Sequence, residues 1–206
     1  MKVPLRLLLP VVLAAGALSV PAANADLVSG VLGLAVPTCA STSHPFAQFG
    51  DSNAYYPLAN NGFENGSTGW TLTGAGISKD NEPWYVNGSG RYALALPPGG
   101  SATSAPICIN LFDPFFRMFA RSMSANGDLK VQVIFRGLTG NLTGLLNYGS
   151  FSSGDYMSWS PTGTVPSLLA LPLGTTSAQI RFTTTATRGL WEIDDVFVDP
   201  CIGRIG

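Results

Sequence analysis

The sequence predicts an all-β protein, an antiparallel sandwich of two sheets, on three observations. Short segments of alternating apolar and polar residues recur at intervals of roughly 8–15 residues. The 24 glycines and 15 prolines of the 206-residue chain favour turns between these segments. No helical periodicity is visible after residue 25. Carboxylates stand among large apolar residues in two segments, Asn61–Gly66 and Trp191–Pro200. Both segments are predicted to be strands, and as the first and last strands of a closed sandwich they are expected to lie next to each other.

Residues 1–25 are predicted to be a secretory signal peptide. Lys2 and Arg6 precede the apolar run Leu7–Val20, and Ala23–Ala25 forms an A-x-A cleavage site. The run has 14 residues, whereas a membrane-spanning helix needs roughly 20. We therefore expect a secreted, extracellular protein with no membrane span.

The mature chain is predicted to have two parts. Residues 26–59 read as an N-terminal arm and an irregular segment rich in Pro, Ser, Asn and Tyr. Residues 60–202 are predicted to form one sandwich domain, because no internal repeat is evident. Residues 137–172 read as two or three irregular strands with long loops. The other predicted strands are Trp70–Thr73, Trp84–Val86, Tyr92–Leu96, Ile107–Ile109, Phe115–Met123, Leu129–Arg136 and Ala178–Thr183.

The composition excludes some partners and favours others. Without Lys2 and Arg6 the chain has nine basic and 12 acidic residues, a net charge near −3, and no basic stripe, which argues against nucleic acid as a partner. Only 11% of residues are charged, so Ser, Thr, Asn and Gly must form most of the surface. Such a surface suits neutral polar ligands such as sugars.

Three cysteines, Cys39, Cys108 and Cys201, remain after cleavage. In an oxidising compartment two of them should pair and leave one over, and the sequence allows three pairings. A Cys39–Cys108 bond would close a loop worth about 4 kcal/mol in the chain-entropy model. The spare cysteine leaves open a link between chains.

The segments Asn61-Gly62-Phe63-Glu64, Gly69-Trp70 and Ile193-Asp194-Asp195-Val196 resemble motifs of galactose-binding-like jelly rolls, above all the β-sandwich carbohydrate-binding modules of secreted glycanases. The chain is also similar to small secreted bacterial proteins of unassigned activity. The resemblance implies a jelly-roll topology and a structural calcium ion held by Glu64 and Asp194. It also favours the Cys39–Cys108 disulfide.

The alternation of side chains along the last strand predicts a different calcium ligand, Asp195 in place of Asp194. If Trp191, Ile193 and Phe197 all face the core in one register, the inward carboxylate is Asp195 and not Asp194. A β-bulge would resolve this conflict. Asp194 is the first choice and Asp195 the alternative; pairing with arginines would also explain both carboxylates.

Aromatic side chains are the candidate ligand contacts, because an exposed ring can stack on the apolar face of a pyranose. Trp70 and Trp191 lie beside strand motifs and are expected in the core. The candidates in loop-rich regions are Trp84, Tyr85, Tyr148, Tyr156 and Trp159. Asn81, Glu82 and Arg91 could add polar contacts, although a solvated surface explains them equally well.

No catalytic motif is recognisable. His44 is the single histidine, and G-x-S-x-G, H-E-x-x-H and P-loop sequences are absent. The sequence therefore predicts a secreted, non-catalytic module that binds a glycan or another cell-surface polymer. The alternatives are an adhesive surface protein that uses the sandwich for protein contacts and, third, a hydrolase with paired carboxylates. The oligomeric state stays open.

Overall fold

The computed structural model describes residues 42–107, 115–166, 172–185, 187 and 189–198. Within these ranges the chain forms short 3₁₀ helices at Ala47–Phe49 and Ser153–Tyr156, and no helix is long and apolar enough to cross a membrane. The strands are β1 Tyr56–Pro57, β2 Trp70–Thr73, β3 Gly76–Ser78, β4 Ala93–Leu96, β5 Ser101–Ser104, β6 Phe115–Ser122, β7 Asp128–Gly137, β8 Leu142–Ser152, β9 Ser160–Pro161, β10 Val165–Pro166, β11 Thr175–Thr184 and β12 Trp191–Val198.

The described strands form two antiparallel sheets, which confirms the predicted jelly-roll sandwich. The first sheet has the order β10-β6-β12-β4-β3, with β1 paired to β12 and β9 paired to β6. The second has the order β2-β5-β11-β7-β8. The last strand, β12, therefore lies in the middle of the first sheet and pairs with the first strand, β1.

The main core lies between the two sheets and follows the alternation read from the sequence. In β7, Leu129, Val131, Val133 and Phe135 are buried, and they pair with a similar row on β11. The Trp70 and Phe182 rings stack at 6.0 Å between their centroids. Trp70 and Trp191 are both buried, which confirms their predicted positions in the core. Burial of each such side chain contributes about 2–3 kcal/mol to the free energy of unfolding.

A bulge interrupts β12 and changes which residues face the core. The pairing with β6 shifts between Asp194 and Phe197, and Asp195 has a left-handed backbone with φ of 49°. Ile193 before the bulge and Val196 after it both face the main core. The assumption that Phe197 faces the same core as Ile193 is wrong, because the bulge moves Phe197 to the opposite face of the sheet.

The segment 42–59 covers that opposite face. Phe46 and Tyr55 are fully buried against Phe119 and Phe197, and the Phe46 ring lies 5.5 Å from the Phe119 ring. We name these four residues the outer aromatic cluster. The segment includes the Ala47–Phe49 3₁₀ helix and β1, and it contributes core residues to the sandwich.

An ion pair fixes this cover to the sheet. Arg117 Nη1 lies 2.7 Å from Asp51 Oδ2, and its guanidinium stands 4.3 Å from the centre of the Phe46 ring. Arg117 Nε also donates to the Thr162 carbonyl at 2.7 Å, and Tyr55 donates its hydroxyl to Asp51 at 2.6 Å. The arginine is thus both paired and hydrogen-bonded, as a buried charge requires.

Two predicted strands are wrong. Residues 61–66 form successive turns, because Asn60 and Phe63 adopt positive φ angles of 52° and 58°. Residues 84–86 form a turn loop, with Tyr85 at φ of 52°. The predicted segment 137–172 contains β8, β9 and β10.

Cys39, Cys108 and Cys201 and the signal peptide lie outside the described residues, so the disulfide and the signal peptide stay predictions.

Candidate functional site

The strongest candidate site is a cavity of about 250 Å³ where two loops meet the bulge of β12. The loop 60–65 and the loop 81–90 form its walls, and Asp195 lies at its inner end. The Asn61 carbonyl accepts a hydrogen bond from Val196 N at 3.3 Å, which holds the first loop against the bulge. The cavity lining is dominated by amides and carboxylates: Asn60, Asn61, Asn65, Asn81, Asn87, Glu64 and Asp195.

Three carboxylates are buried behind this cavity: Glu82, Asp194 and Asp195. Asp194 accepts the backbone N–H of Glu82 at 3.0 Å and that of Asp195 at 2.9 Å. Burial raises the pKa of Asp194, and the neighbouring Asp195 raises it further. The Asp194 carboxyl group therefore binds a proton more tightly than an exposed aspartate does.

Asp195 is the buried carboxylate that reaches the cavity. Asn87 donates its amide to Asp195 Oδ1 at 2.7 Å, and the Glu82 carboxylate lies within hydrogen-bonding reach. Burial raises the pKa of Asp195 to about 7, with repulsion from Glu82 as the next cause. A β-carbon on Gly62 would stand 2.9 Å from Asp195 Oδ1, so glycine is needed for this close approach.

Glu82 organises the loop that carries two of the predicted aromatic residues. Its two carboxylate oxygens accept the backbone N–H groups of Trp84 at 2.5 Å and Val86 at 2.8 Å. Glu82 is fully buried, so the reading of this residue as a solvated surface group is wrong. The hydrogen bonds hold Tyr85 in its left-handed conformation at the rim.

Glu64 connects the two loops at the open end of the cavity. Its Oε1 accepts the backbone N–H of Arg91 at 2.6 Å and that of Tyr92 at 2.9 Å. Glu64 and Asp195 both line the cavity, and the Glu64 charge also raises the pKa of Asp195. Among the predicted calcium ligands, the structure brings Glu64 and Asp195 together at the cavity and places Asp194 behind it.

A second depression, of about 430 Å³, continues from the cavity. Both are lined by Asn81, Tyr85 and Gly90, so they adjoin at these three residues, and we call the two depressions together the groove. Tyr85 is 54% exposed. The remaining lining residues of the second depression are Lys79, Asp80, Arg91 and Tyr92.

The other predicted aromatic residues lie away from this groove. Trp84 is 36% exposed, and its ring packs on Phe49 and Phe119 at 5.0 and 5.3 Å. Trp159 lies 5.1 Å from the Arg121 guanidinium. Trp84 and Trp159 both adjoin the outer aromatic cluster. The indole nitrogen of Trp159 is buried and has no hydrogen-bond partner in the ranges that the structure describes.

Tyr148 and Tyr156 pack instead on the main core. Tyr148 contacts Phe116 at 6.3 Å, and Tyr156 contacts Trp191 at 5.9 Å. Tyr148 also lines a separate depression of about 180 Å³ with Phe151. The five predicted aromatics therefore do not form one platform, and Tyr85 is the one that lines the groove.

Of the asparagines that line the cavity, Asn81 was predicted as a polar contact, and the others were not predicted as site residues. Their signal was the pair of turn motifs Asn60-Asn61-Gly62 and Asn87-Gly88, which favour left-handed backbone and place short amides at loop tips. Asn60 holds its loop by donating to the Gly66 and Thr68 carbonyls at 2.8 and 3.0 Å. Asn61 is buried, and its Nδ2 has no hydrogen-bond partner within the described part of the chain.

No protein-family model matches the chain, and no curated protein matches it. Among solved structures it is similar to the enzymatically active domain of tailspike protein 4 of bacteriophage CBA120, at 16% identity over 69% of this chain and with a TM-score of 0.51. The chain spans 21% of that protein. It is also similar to the MgGH51 α-L-arabinofuranosidase, at 13% identity over 70% of this chain and 26% of that chain, with a TM-score of 0.50.

Carbohydrate-binding modules are also among the similar structures. The CBM22-1 xylan-binding domain of Paenibacillus barcinonensis aligns at 15% identity over 70% of this chain and 94% of its own, with a TM-score of 0.48. At such low identities a structural match indicates a shared fold and not a shared ligand. The comparisons therefore indicate the sandwich fold of this protein and do not identify its ligand.

Proposed function

We propose that this protein is a secreted, non-catalytic module that binds a glycan in the groove lined by Tyr85. The observation that carries the proposal is the placement of one exposed aromatic ring beside a cavity lined by amides and carboxylates. A sugar ring has apolar C–H faces and a rim of hydroxyl groups. The Tyr85 ring suits the faces, and the side chains of Asn65, Asn81 and Asn87 suit the hydroxyls.

Hydrogen bonds within the protein hold both loops of the groove in place. Glu82 holds the Tyr85 loop through two backbone hydrogen bonds, and Glu64 ties the 60–65 loop to Arg91 and Tyr92. A pre-organised site loses little conformational entropy on binding, which favours affinity for a weakly interacting ligand such as a sugar.

We propose a structural calcium ion at the cavity, held by Glu64 and Asp195. The donor set fits a hard cation, because carboxylates and several asparagine side chains line one small cavity. The described residues hold no group of three His, Cys, Asp or Glu side chains arranged for a metal, so amide and carbonyl oxygens would complete the shell. The ion would offset the charge of carboxylates that lack an arginine partner.

The carboxylates support binding rather than turnover. Asp194 and Glu82 each direct both oxygens at backbone N–H groups, and Asp195 is engaged by Asn87. Groups committed in this way position the loops. We therefore expect no glycan hydrolysis by the purified protein.

The test is a glycan array, followed by titration calorimetry with the best glycan and two Tyr85 variants. Tyr85→Ala removes the stacking ring and should weaken binding by about tenfold, since such contacts contribute about 1–1.5 kcal/mol. Tyr85→Phe keeps the ring and should retain most of the affinity. An unchanged affinity in Tyr85→Ala, with an unchanged melting temperature, would refute the assignment of this groove.

A second candidate function is adhesion through protein contacts. Leu138, Leu142 and Leu145 are exposed at one end of the β7–β8 hairpin, and Leu173 is exposed just before β11, which pairs with β7. Clustered exposed leucines are unusual on a polar surface. Absence of binding across the array, together with a change of oligomeric state in Leu142→Ser, would favour this candidate.

A further inference from the structure

We propose that the second depression binds the acidic group of a negatively charged polysaccharide, through Lys79 and Arg91. The inference rests on the proposed glycan-binding function and specifies its ligand class. It depends on the different charge of the two halves of the groove. The cavity carries Glu64 and Asp195, whereas the second depression carries Lys79, Arg91 and the single carboxylate of Asp80.

The two cations are available to a ligand. Both side chains are exposed, and neither has a carboxylate within ion-pair distance among the described residues. Asp80, which lies beside them, is engaged by Arg121, and Arg121 also contacts the buried Glu192. The carboxylate nearest to Lys79 in the chain is therefore directed to another partner.

The backbone that carries Arg91 is fixed. Its N–H is bound by Glu64 at 2.6 Å, and the next N–H, of Tyr92, is bound by the same oxygen at 2.9 Å. Gly90 packs so closely on Asn81 that a β-carbon there would overlap with Asn81 Oδ1. The backbone from which the Arg91 side chain extends is therefore held in place beside the second depression.

The chemistry of these groups matches an acidic sugar unit. A guanidinium can bind a carboxylate or a sulfate ester through two parallel hydrogen bonds, and an ammonium adds a point charge. A ring stacked on Tyr85 would place the adjoining unit of a polymer in the second depression. Tyr92 lies there as a further aromatic contact.

The other described cations do not form such a site. Arg136 donates to Gln179 and Gly140, and Arg181 donates to Thr103, all on the second sheet. Lys130 is exposed on β7 of that sheet and lines none of the depressions described above. Lys130 is therefore a suitable matched control.

The experiment measures affinity for three polymers: neutral galactan, polygalacturonate and a sulfated galactan. The proteins are the wild type, the double variant Lys79→Gln/Arg91→Gln and the control Lys130→Gln. The double variant should bind the acidic polymers about tenfold more weakly at low salt, with a smaller salt dependence than the wild type. The control should change affinity less than about twofold.

Each outcome separates this inference from the proposed function. Preference for polygalacturonate would show that the second depression binds sugar carboxylates, and preference for the sulfated polymer would show that it binds sulfate esters. Either preference supports the inference if the double variant no longer shows that preference. Binding of neutral galactan alone, or acidic binding that the double variant retains, overturns the inference and leaves glycan binding intact. Binding of none of these polymers and no array ligand overturns both.

Discussion

At the residue scale, the most unusual feature is a group of buried carboxylates that have no paired cation among the described residues. Glu82 and Asp194 are fully buried and Asp195 nearly so, and their described partners are backbone N–H groups and the Asn87 amide. The three charges repel one another in a medium of low polarity. Proton binding or cation binding must relieve this repulsion, and both can be measured.

The first prediction is a fall in stability as pH rises in the presence of chelator. The folded-state pKa of Asp195 is raised to about 7 from its usual 3.8, and that of Asp194 is also raised. The folded protein then holds more protons than the unfolded chain between these values. The stabilisation is complete below about pH 4 and is lost as pH approaches 7 and rises further, by up to about 1.4 kcal/mol per pH unit for each proton.

Urea unfolding at several pH values checks this prediction. Asp195→Asn should reduce the slope of unfolding free energy against pH, because one titrating group is removed. Asp128→Asn, on the second sheet, is the matched control, because its carboxylate accepts the Ser150 hydroxyl at 3.2 Å and does not line the cavity. A stability that rises between pH 5 and 7 in chelator would contradict the assignment.

At the element scale, the cover formed by residues 42–59 depends on a single arginine of β6. Arg117 joins Asp51 to the Thr162 carbonyl and stacks over Phe46. Burial by itself would raise the pKa of Asp51, but hydrogen bonds from Tyr55, Asn53 and Arg117 hold it below its usual value. The cover is thus attached by charge as well as by aromatic packing.

The second prediction concerns Arg117→Met. This change keeps much of the side-chain volume but leaves Asp51 without its cation, and it should lower the free energy of unfolding by about 3 kcal/mol. Lys130→Met, at an exposed position, should change it by less than about 0.5 kcal/mol. Chemical denaturation measures both. If Arg117→Met and Lys130→Met are equally stable, the ion pair does not hold the cover.

The same element also tests the outer aromatic cluster. Phe46→Leu removes ring contacts with Tyr55, Phe119 and Phe197 while keeping an apolar residue. We expect a loss of about 1–2 kcal/mol and faster proteolysis within residues 42–59. Unchanged proteolysis would show that the cover is held without Phe46.

At the scale of the whole molecule, the chain is closed by contacts between its described ends. β1 pairs with Val198 and Phe197, and Leu58 N donates to the Val196 carbonyl at 3.1 Å. The cavity lies beside this closure, and both Asp195 and Glu64 line it. A ligand that binds both would stabilise the closed sandwich as a unit.

The final prediction is therefore a calcium-dependent melting temperature. Calcium in excess should raise it, because an ion at 100 times its dissociation constant adds about 2.7 kcal/mol. Glu64→Gln keeps an oxygen for the Arg91 and Tyr92 N–H groups and loses the charge, so the rise should shrink strongly. Differential scanning calorimetry with calcium and with chelator measures this. Equal melting curves for the wild type would reject the ion.

The sandwich follows from local patterns that the chain carries in each segment. Alternation in β7 and β11 assigns one face to the core whatever the neighbours are, because successive side chains of a strand point to opposite sides. The same holds for Trp70 and Trp191, which are too large and apolar to remain exposed beside strand motifs.

The groove depends on segments that are far apart in sequence. Asn61, Glu82 and Asp195 meet through one bulge, and no local pattern indicates that Glu82 is buried beneath the Tyr85 loop. The turns at Phe63 and Tyr85 replace predicted strands because hydrogen bonds to the bulge outweigh the local preference of apolar residues for strands. Val196 N donates to the Asn61 carbonyl, and Glu82 N donates to Asp194. Burial and charge at such positions are properties of the assembled fold, since they arise only when β12 is placed between β4 and β6.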